Sequence, residues 1–383
     1  MKKQKFYLMG TLLIAIMTVV QVQALPNVSA LEVTSKTISS SGTLMYQSYD
    51  NFEKAISYFS RYDSWTTDNQ TLQRDFSKFK SDGISVVNLA VHWYKIEKNR
   101  GEYSDAFLDG VKRSIEIASN TGLKVRVCIL ASMNAAGLTP DYVIDPVTGG
   151  NNALAIIRSD DMRKAYLDMY NYTTSYLSKE SIWGWNIFGE PWYFPRTLDP
   201  PFNSINQKEN FITLFQELST MVKAKVGSAT NIDVNFISTH MFTKMDGTPG
   251  YENLFEKDWG WDSRIFQCVD SIRFVFSTYE QMQKWPGYQY VYDNCINITK
   301  SNVERCSELG KSVFLTLQAD GDEYNDESVQ LTAWKQMLSD ITGFKLSGAT
   351  AYAWRSDKYG TGMNLCNDDQ GNPRAAYYEF INF

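Results

Sequence analysis

A chain of 383 residues with a formal charge of −6 and five cysteines excludes several classes at once. An acidic chain without a Lys/Arg stripe does not suit a nucleic acid partner. An odd and small number of cysteines does not make a disulfide scaffold.

In chain order, MKKQKFYLMGTLLIAIMTVVQVQALPNVSA (residues 1–30) gives a basic start, an apolar run and small residues at Ala24 and Ala30. This reads as a secretory signal, so the protein is expected to be secreted. The apolar run is also roughly long enough to span a bilayer, which would leave an N-terminal anchor at the cell surface, although Gln21 and Gln23 weaken that reading. Loss of this segment removes Lys2, Lys3 and Lys5 and takes the charge to about −9. No later segment is long and apolar enough to span a membrane. Residues 31–383 contain no Pro/Gly/Ser linker, repeat or low-complexity tract, and are expected to form one domain. Asn69, Asn171 and Asn297 head N-x-Ser/Thr sequons, which are glycan sites only in a host that glycosylates.

From about residue 55, short β-branched or aromatic runs alternate with helical stretches. AISYFSRY precedes the helix TLQRDFSKFKSDG, and GISVVNLAVHW precedes AFLDGVKRSIEIASNTG. GLKVRVCILAS leads through a long loop to DMRKAYLDMYNYTTSYL, and IWGWNIFGE leads to NFITLFQELSTMVKAKVG. NIDVNFISTHMF and CVDSIRFVFSTY follow, then KSVFLTLQAD with the helix DESVQLTAWKQMLSDI, and ATAYAWRS comes last. Gly83 and Gly122 stand where a helix C-cap and a turn into the next strand are needed. Cys128 and Cys268 read as packed thiols, and Cys295 and Cys306 are close enough in sequence for a pairing to be considered.

Eight β-then-α units in one undivided α/β chain predict a closed (β/α)8 TIM barrel. A doubly wound sheet would carry a Gly-rich phosphate loop after its first strand, and there is none. Barrel chemistry sits where strands end. The ends here hold Asp63 and Trp65, then His92 and Trp93, Asn134, Glu190 and Trp192, His240, Tyr279 and Glu280, Gln318 and Asp320, and Trp354 and Asp357. With 14% aromatic residues overall, such a rim suits a carbohydrate, whose C–H faces lie on aromatic rings while its hydroxyls meet amides and carboxylates. His92, Trp93, Trp192, His240, Tyr279 and Trp354 are the candidate substrate-binding residues. Two histidines on different strands, without H-E-x-x-H or C-x-x-C spacing, give no metal site. No cofactor is called for, and no G-x-S-x-G elbow supplies a serine nucleophile. Hydrolytic chemistry would therefore fall to carboxylates.

TLQRDFSKFKSDGISVVNLAVHWYKIEKNRGEY, IWGWNIFGEPW, and GATAYAWRS with NLCNDDQGNPRAAYYEF resemble, in that order and spacing, segments of the clan A glycoside hydrolases of the cellulase-like family 5 type. The resemblance runs from about residue 45 to the C-terminus. It implies a (β/α)8 barrel acting on O-glycosidic bonds, with Glu190 of the fourth-strand segment as general acid/base. That role requires a carboxyl that donates a proton to the leaving oxygen and then serves as base toward water. Burial against Trp185 or Trp192 would raise its pKa accordingly.

The chain departs from the pattern at strand seven. Retaining members carry a nucleophilic glutamate there, but Gln318, or Leu317, stands at the expected place. An amide neither attacks the anomeric carbon nor stabilises an oxocarbenium ion by charge. Gly189 replaces the Asn before the acid/base, Asn88 the strand-two Arg, and Ser277-Thr278-Tyr279 the sixth-strand His-x-Tyr. Three readings follow: a secreted glycosidase in which Asp320, Glu280, Asp63 or the substrate supplies the missing group, a catalytically inactive carbohydrate-binding barrel, or a purely structural surface protein, which explains neither Glu190 nor the aromatic strand ends.

Overall fold

The computed structural model describes residues 52–59, 68–130, 139–189, 205–237, 263–277, 289–319, 326–354, 364–367 and 370–383. All lie in one unit spanning residues 46–383. Eight parallel strands close into a barrel. They are β1 (Glu53–Tyr58), β2 (Val86–His92), β3 (Lys124–Leu130), β4 (Gly184–Gly189), β5 (Asn231–Ile237), β6 (Ser271–Ser277), β7 (Ser312–Gln318) and β8 (Gly348–Tyr352). Each strand pairs with the next in the chain, and β8 returns to β1. All eight predicted strands are present, and the fold is the TIM barrel that the alternation of elements predicts.

The helices that follow the strands are α1 (Asn69–Ser81), α2 (Asp105–Asn120), α3 (Asp160–Tyr176), α4 (Ile205–Val226), α5 (Ser263–Gln267), α6 (Gln289–Glu308), α7 (Glu327–Asp340) and α8 (Ala375–Asn382). Local chemistry sets their ends. Asp68, Ser104, Ser159 and Asp326 each accept a hydrogen bond from a backbone N–H in the first turn of α1, α2, α3 and α7. Gly83 and Gly122 adopt φ of 84° and 85° just past α1 and α2, a left-handed turn that leads directly into the next strand. The sequence reading passed over α6, because QYVYDNCINITKSNVERCSE is mostly polar and its aromatic and β-branched residues hide the helical period.

The pleat sorts each strand into two faces. Val87, Leu89 and Val91 of β2, Val125, Val127 and Ile129 of β3, and Val313, Leu315 and Leu317 of β7 join the buried apolar cluster between sheet and helices. Trp185, Trp334 and Trp354 are fully buried in the same cluster. The alternate face lines the barrel interior, where polar residues are frequent. Gly348 is required where β8 meets β1, since a Cβ there would stand 2.2 Å from the Glu53 carbonyl oxygen.

The Cys295–Cys306 pairing is corrected. Both residues lie in α6, eleven positions apart, which separates their Cα atoms by roughly 16 Å at helical rise, far beyond disulfide reach. Cys306 is a buried free thiol, as is Cys128. Among the described residues, no helix is long and apolar enough to cross a membrane.

Candidate active site

The barrel interior is crossed by an ionic network to which every strand contributes. Asp233 of β5 is fully buried, with one oxygen 2.8 Å from Arg126 Nε of β3 and 2.5 Å from a terminal nitrogen of Arg273 of β6. Its other oxygen accepts from Asn186 Nδ2 of β4 at 2.6 Å. Arg126 donates to Asn88 Oδ1 of β2 at 3.0 Å and lies 3.9 Å from Glu53 of β1. Its guanidinium carbon stands 5.3 Å from the ring centroid of Phe314 of β7. Asn88 donates in turn to Thr350 of β8 at 3.4 Å. Gly184 leaves room for Arg126, whose Nε would lie 3.4 Å from a Cβ at that position.

Burial opposes ionisation of Asp233, but the two guanidinium groups and Asn186 outweigh it and hold the carboxyl below its usual range. Burial likewise lowers Arg126 to about 10, which still leaves it charged at neutral pH. Burial also pushes the interior thiol Cys128 up to about 11, so it is no nucleophile.

Above this network lie the C-terminal ends of the strands. His92 ends β2 on the same face as Asn88; it is 6% exposed and stacks on Tyr94 with centroids 5.7 Å apart. Gln318 ends β7 on the face of Phe314 and Thr316, partly exposed, while Leu317 is fully buried among the outer apolar residues. The lumen position on strand seven is therefore Gln318. Tyr352 ends β8 paired in register with Gln318, partly exposed, its ring edge-on to Phe59 at 5.4 Å.

Trp93 and Trp354, expected to stack on substrate, are corrected to packing residues, both at 0% exposure. Trp93 packs on Tyr166 and Tyr142, and its indole N–H donates to Glu97 at 2.8 Å. Trp354 packs edge-on to Phe79 of α1 and against Tyr377 of α8, behind the sheet. Strand pairing stops at Tyr352, so the alternation that carries Thr350 and Tyr352 inward does not extend to Trp354. Glu190, Trp192, His240, Tyr279 and Asp320 lie outside the described residues, as do Asp63, Trp65, Asn134, Glu280 and Asp357. In sequence, Glu190 directly follows Gly189, the last residue of β4.

The reading from sequence missed Tyr352 and the interior network. A signal for the network was present: KVRVCIL, NIDVNFI and SIRFVFS each set a charged residue (Arg126, Asp233, Arg273) between two apolar ones within a strand. Asn88, which stands where the resemblance places an arginine, accepts a hydrogen bond from Arg126 of β3. Among the described residues, no group of three or more His, Cys, Asp or Glu is placed to hold a metal ion.

No protein-family model matches the chain, and no curated protein matches it. Solved structures do. An exo-β-1,4-mannosidase from an Opitutaceae bacterium superposes with a TM-score of 0.60 at 11% identity, over 86% of this chain and 58% of that one. The chain thus spans little more than half of that relative's length. An endo-1,4-β-mannanase from Rhizomucor miehei gives 0.59 at 15% identity, over 87% and 95% of the two chains. A GH5_18 variant from Bifidobacterium longum subsp. longum, solved in complex with Manβ1-4GlcNAc, gives 0.61 at 14% identity, over 86% and 77%. The fold is that of the family 5 glycoside hydrolases. At these identities the likeness is one of fold.

Proposed function

We propose that this protein is an exported barrel that acts on O-glycosidic bonds of a poly- or oligosaccharide, with Glu190 as the general acid/base. The observation that carries the reading is the position of Glu190 in the sequence. It is the residue immediately after β4 of a family 5-type barrel, in the segment IWGWNIFGEPW that resembles the acid/base segment of that group. Solved neighbours named as a mannosidase and a mannanase, and one holding Manβ1-4GlcNAc, support a carbohydrate ligand. Asp320, two residues beyond Gln318, is the proposed source of the second carboxylate. Export rests on the signal-like residues 1–30.

A second reading, binding without hydrolysis, has its own support. Gln318, an amide that cannot serve as nucleophile, holds the lumen position on β7. Product release from β-glucans, mannans, xylans and aryl glycosides, measured alongside binding to the same panel, decides between them. Hydrolysis that falls roughly 10²–10⁴-fold in Glu190→Gln, with folding and binding kept, is the outcome expected of the first reading. Binding without turnover establishes the second.

A further inference from the structure

The run of β4 into its last residue is not regular. Its register against β5 shifts between Asn186 and Phe188, a bulge three to four residues before Glu190. Bulges re-aim the chain that follows them and leave backbone groups without their ladder partners. Here the bulge is held from both sides. On the lumen side, Asn186 donates to Asp233 at 2.6 Å. On the helix side, the hydroxyl of Tyr170 from α3 donates to the Ile187 carbonyl at 2.8 Å and lies 3.3 Å from the Asn186 carbonyl. Tyr170 is fully buried, and its ring packs edge-on to Tyr166, which in turn packs against Phe188. Asn186 and Ile187 are both buried, so a single phenol holds two successive peptide units at the point where the strand leaves its pleat.

We propose that Tyr170 is a positioning residue for the acid/base chemistry: by holding the Ile187 carbonyl it sets the bulge in β4, and with it the direction in which the chain leaves Gly189 for Glu190. The inference rests on the reading of Glu190 given above. It predicts a defect confined to proton donation rather than a general loss of fold, because the ring of Tyr170→Phe keeps the packing and only the hydroxyl goes.

The test uses the full chain and aryl and alkyl glycosides of graded leaving-group acidity. In Tyr170→Phe, kcat/KM on poor leaving groups, which need the acid, should fall roughly tenfold, while kcat/KM on a dinitrophenyl glycoside, whose departure needs no proton, stays within about twofold. The structural control is Thr174→Val, one turn further along α3, which removes a buried hydroxyl bonded to the Tyr170 carbonyl without touching β4. Equal losses across all leaving groups, or the same pattern in Thr174→Val, overturn the proposal. If the wild-type protein cleaves no glycoside, the acid/base reading fails on its own account. The positioning claim is then decided by the carboxyl resonance of Glu190 in ¹³C-Glu-labelled protein, assigned with Glu190→Gln. A changed titration in Tyr170→Phe but not in Thr174→Val supports it, and an unchanged one overturns it.

Discussion

Asp233 is the residue on which the interior of the barrel depends. TIM barrel interiors are dominated by bulky branched side chains, but here one carboxylate faces two guanidinium groups without solvent. Truncation to Asp233→Ala leaves both cations facing each other, and breaking a buried pair in this way costs about 3–5 kcal/mol. Chemical denaturation should show that loss at neutral pH. The pH dependence follows from the sign of the shift. The folded carboxyl titrates below its unfolded value of about 3.9, so its stabilisation is complete above that value and is lost as pH falls through the folded pKa. The gap in Tm between wild type and Asp233→Asn should therefore narrow below about pH 4. Trp354 gives the opposite kind of residue-scale prediction. Since its ring is enclosed by Phe79 and Tyr377, Trp354→Ala should cost about 3–5 kcal/mol through the cavity it leaves. Glycan affinity, measured by calorimetry on protein that remains folded, should not change.

At the scale of the element, β7 decides which residue takes the lumen position at its end. Two residues competed for that place in the sequence, and a one-residue slip exchanges the faces of a strand. Leu317 is in the apolar layer and Gln318 is on the lumen face. Gln318→Glu adds a charge with almost no change of shape. In a binding protein that has lost only its nucleophile, it should create retaining glycosidase activity, detectable with activated aryl glycosides. In an enzyme already using Asp320, it should slow turnover, since two nearby carboxylates raise each other's pKa. Leu317→Glu instead places a charge among buried aliphatic side chains and should unfold the protein, visible as loss of a cooperative thermal transition. The helices show how much of an element is local. N-caps at Asp68, Ser104 and Ser159 and the left-handed Gly83 and Gly122 were legible as stop and start signals, because their chemistry needs only neighbours in sequence. Helix α6 was not, because its apolar face is defined by what it packs against.

For the whole molecule, closure joins β8 to β1, and at that seam the two backbones approach closely at Gly348. Gly348 has no room for a methyl group, since a Cβ would fall 2.2 Å from a backbone oxygen of β1. Gly348→Ala should force the two strands apart and cost roughly 3 kcal/mol or more, read from urea unfolding. A neutral result would mean that the seam can open without loss of the barrel.

The sequence by itself determined the barrel: its eight strand runs, most of its helices and their order follow from periodicity and turn chemistry, which are local. It also singled out Glu190 by its place in a recognisable segment. Tertiary structure alone decided which face a residue takes and what it meets there. It sent Trp93 and Trp354 behind the sheet, gave the end of β8 to Tyr352, chose Gln318 over Leu317, and gathered Asp233, Arg126 and Arg273 from strands far apart in the chain. Composition names the residues available for such encounters. The register of a closed sheet, set by bulges and by the tilt of every strand at once, determines which of them occur.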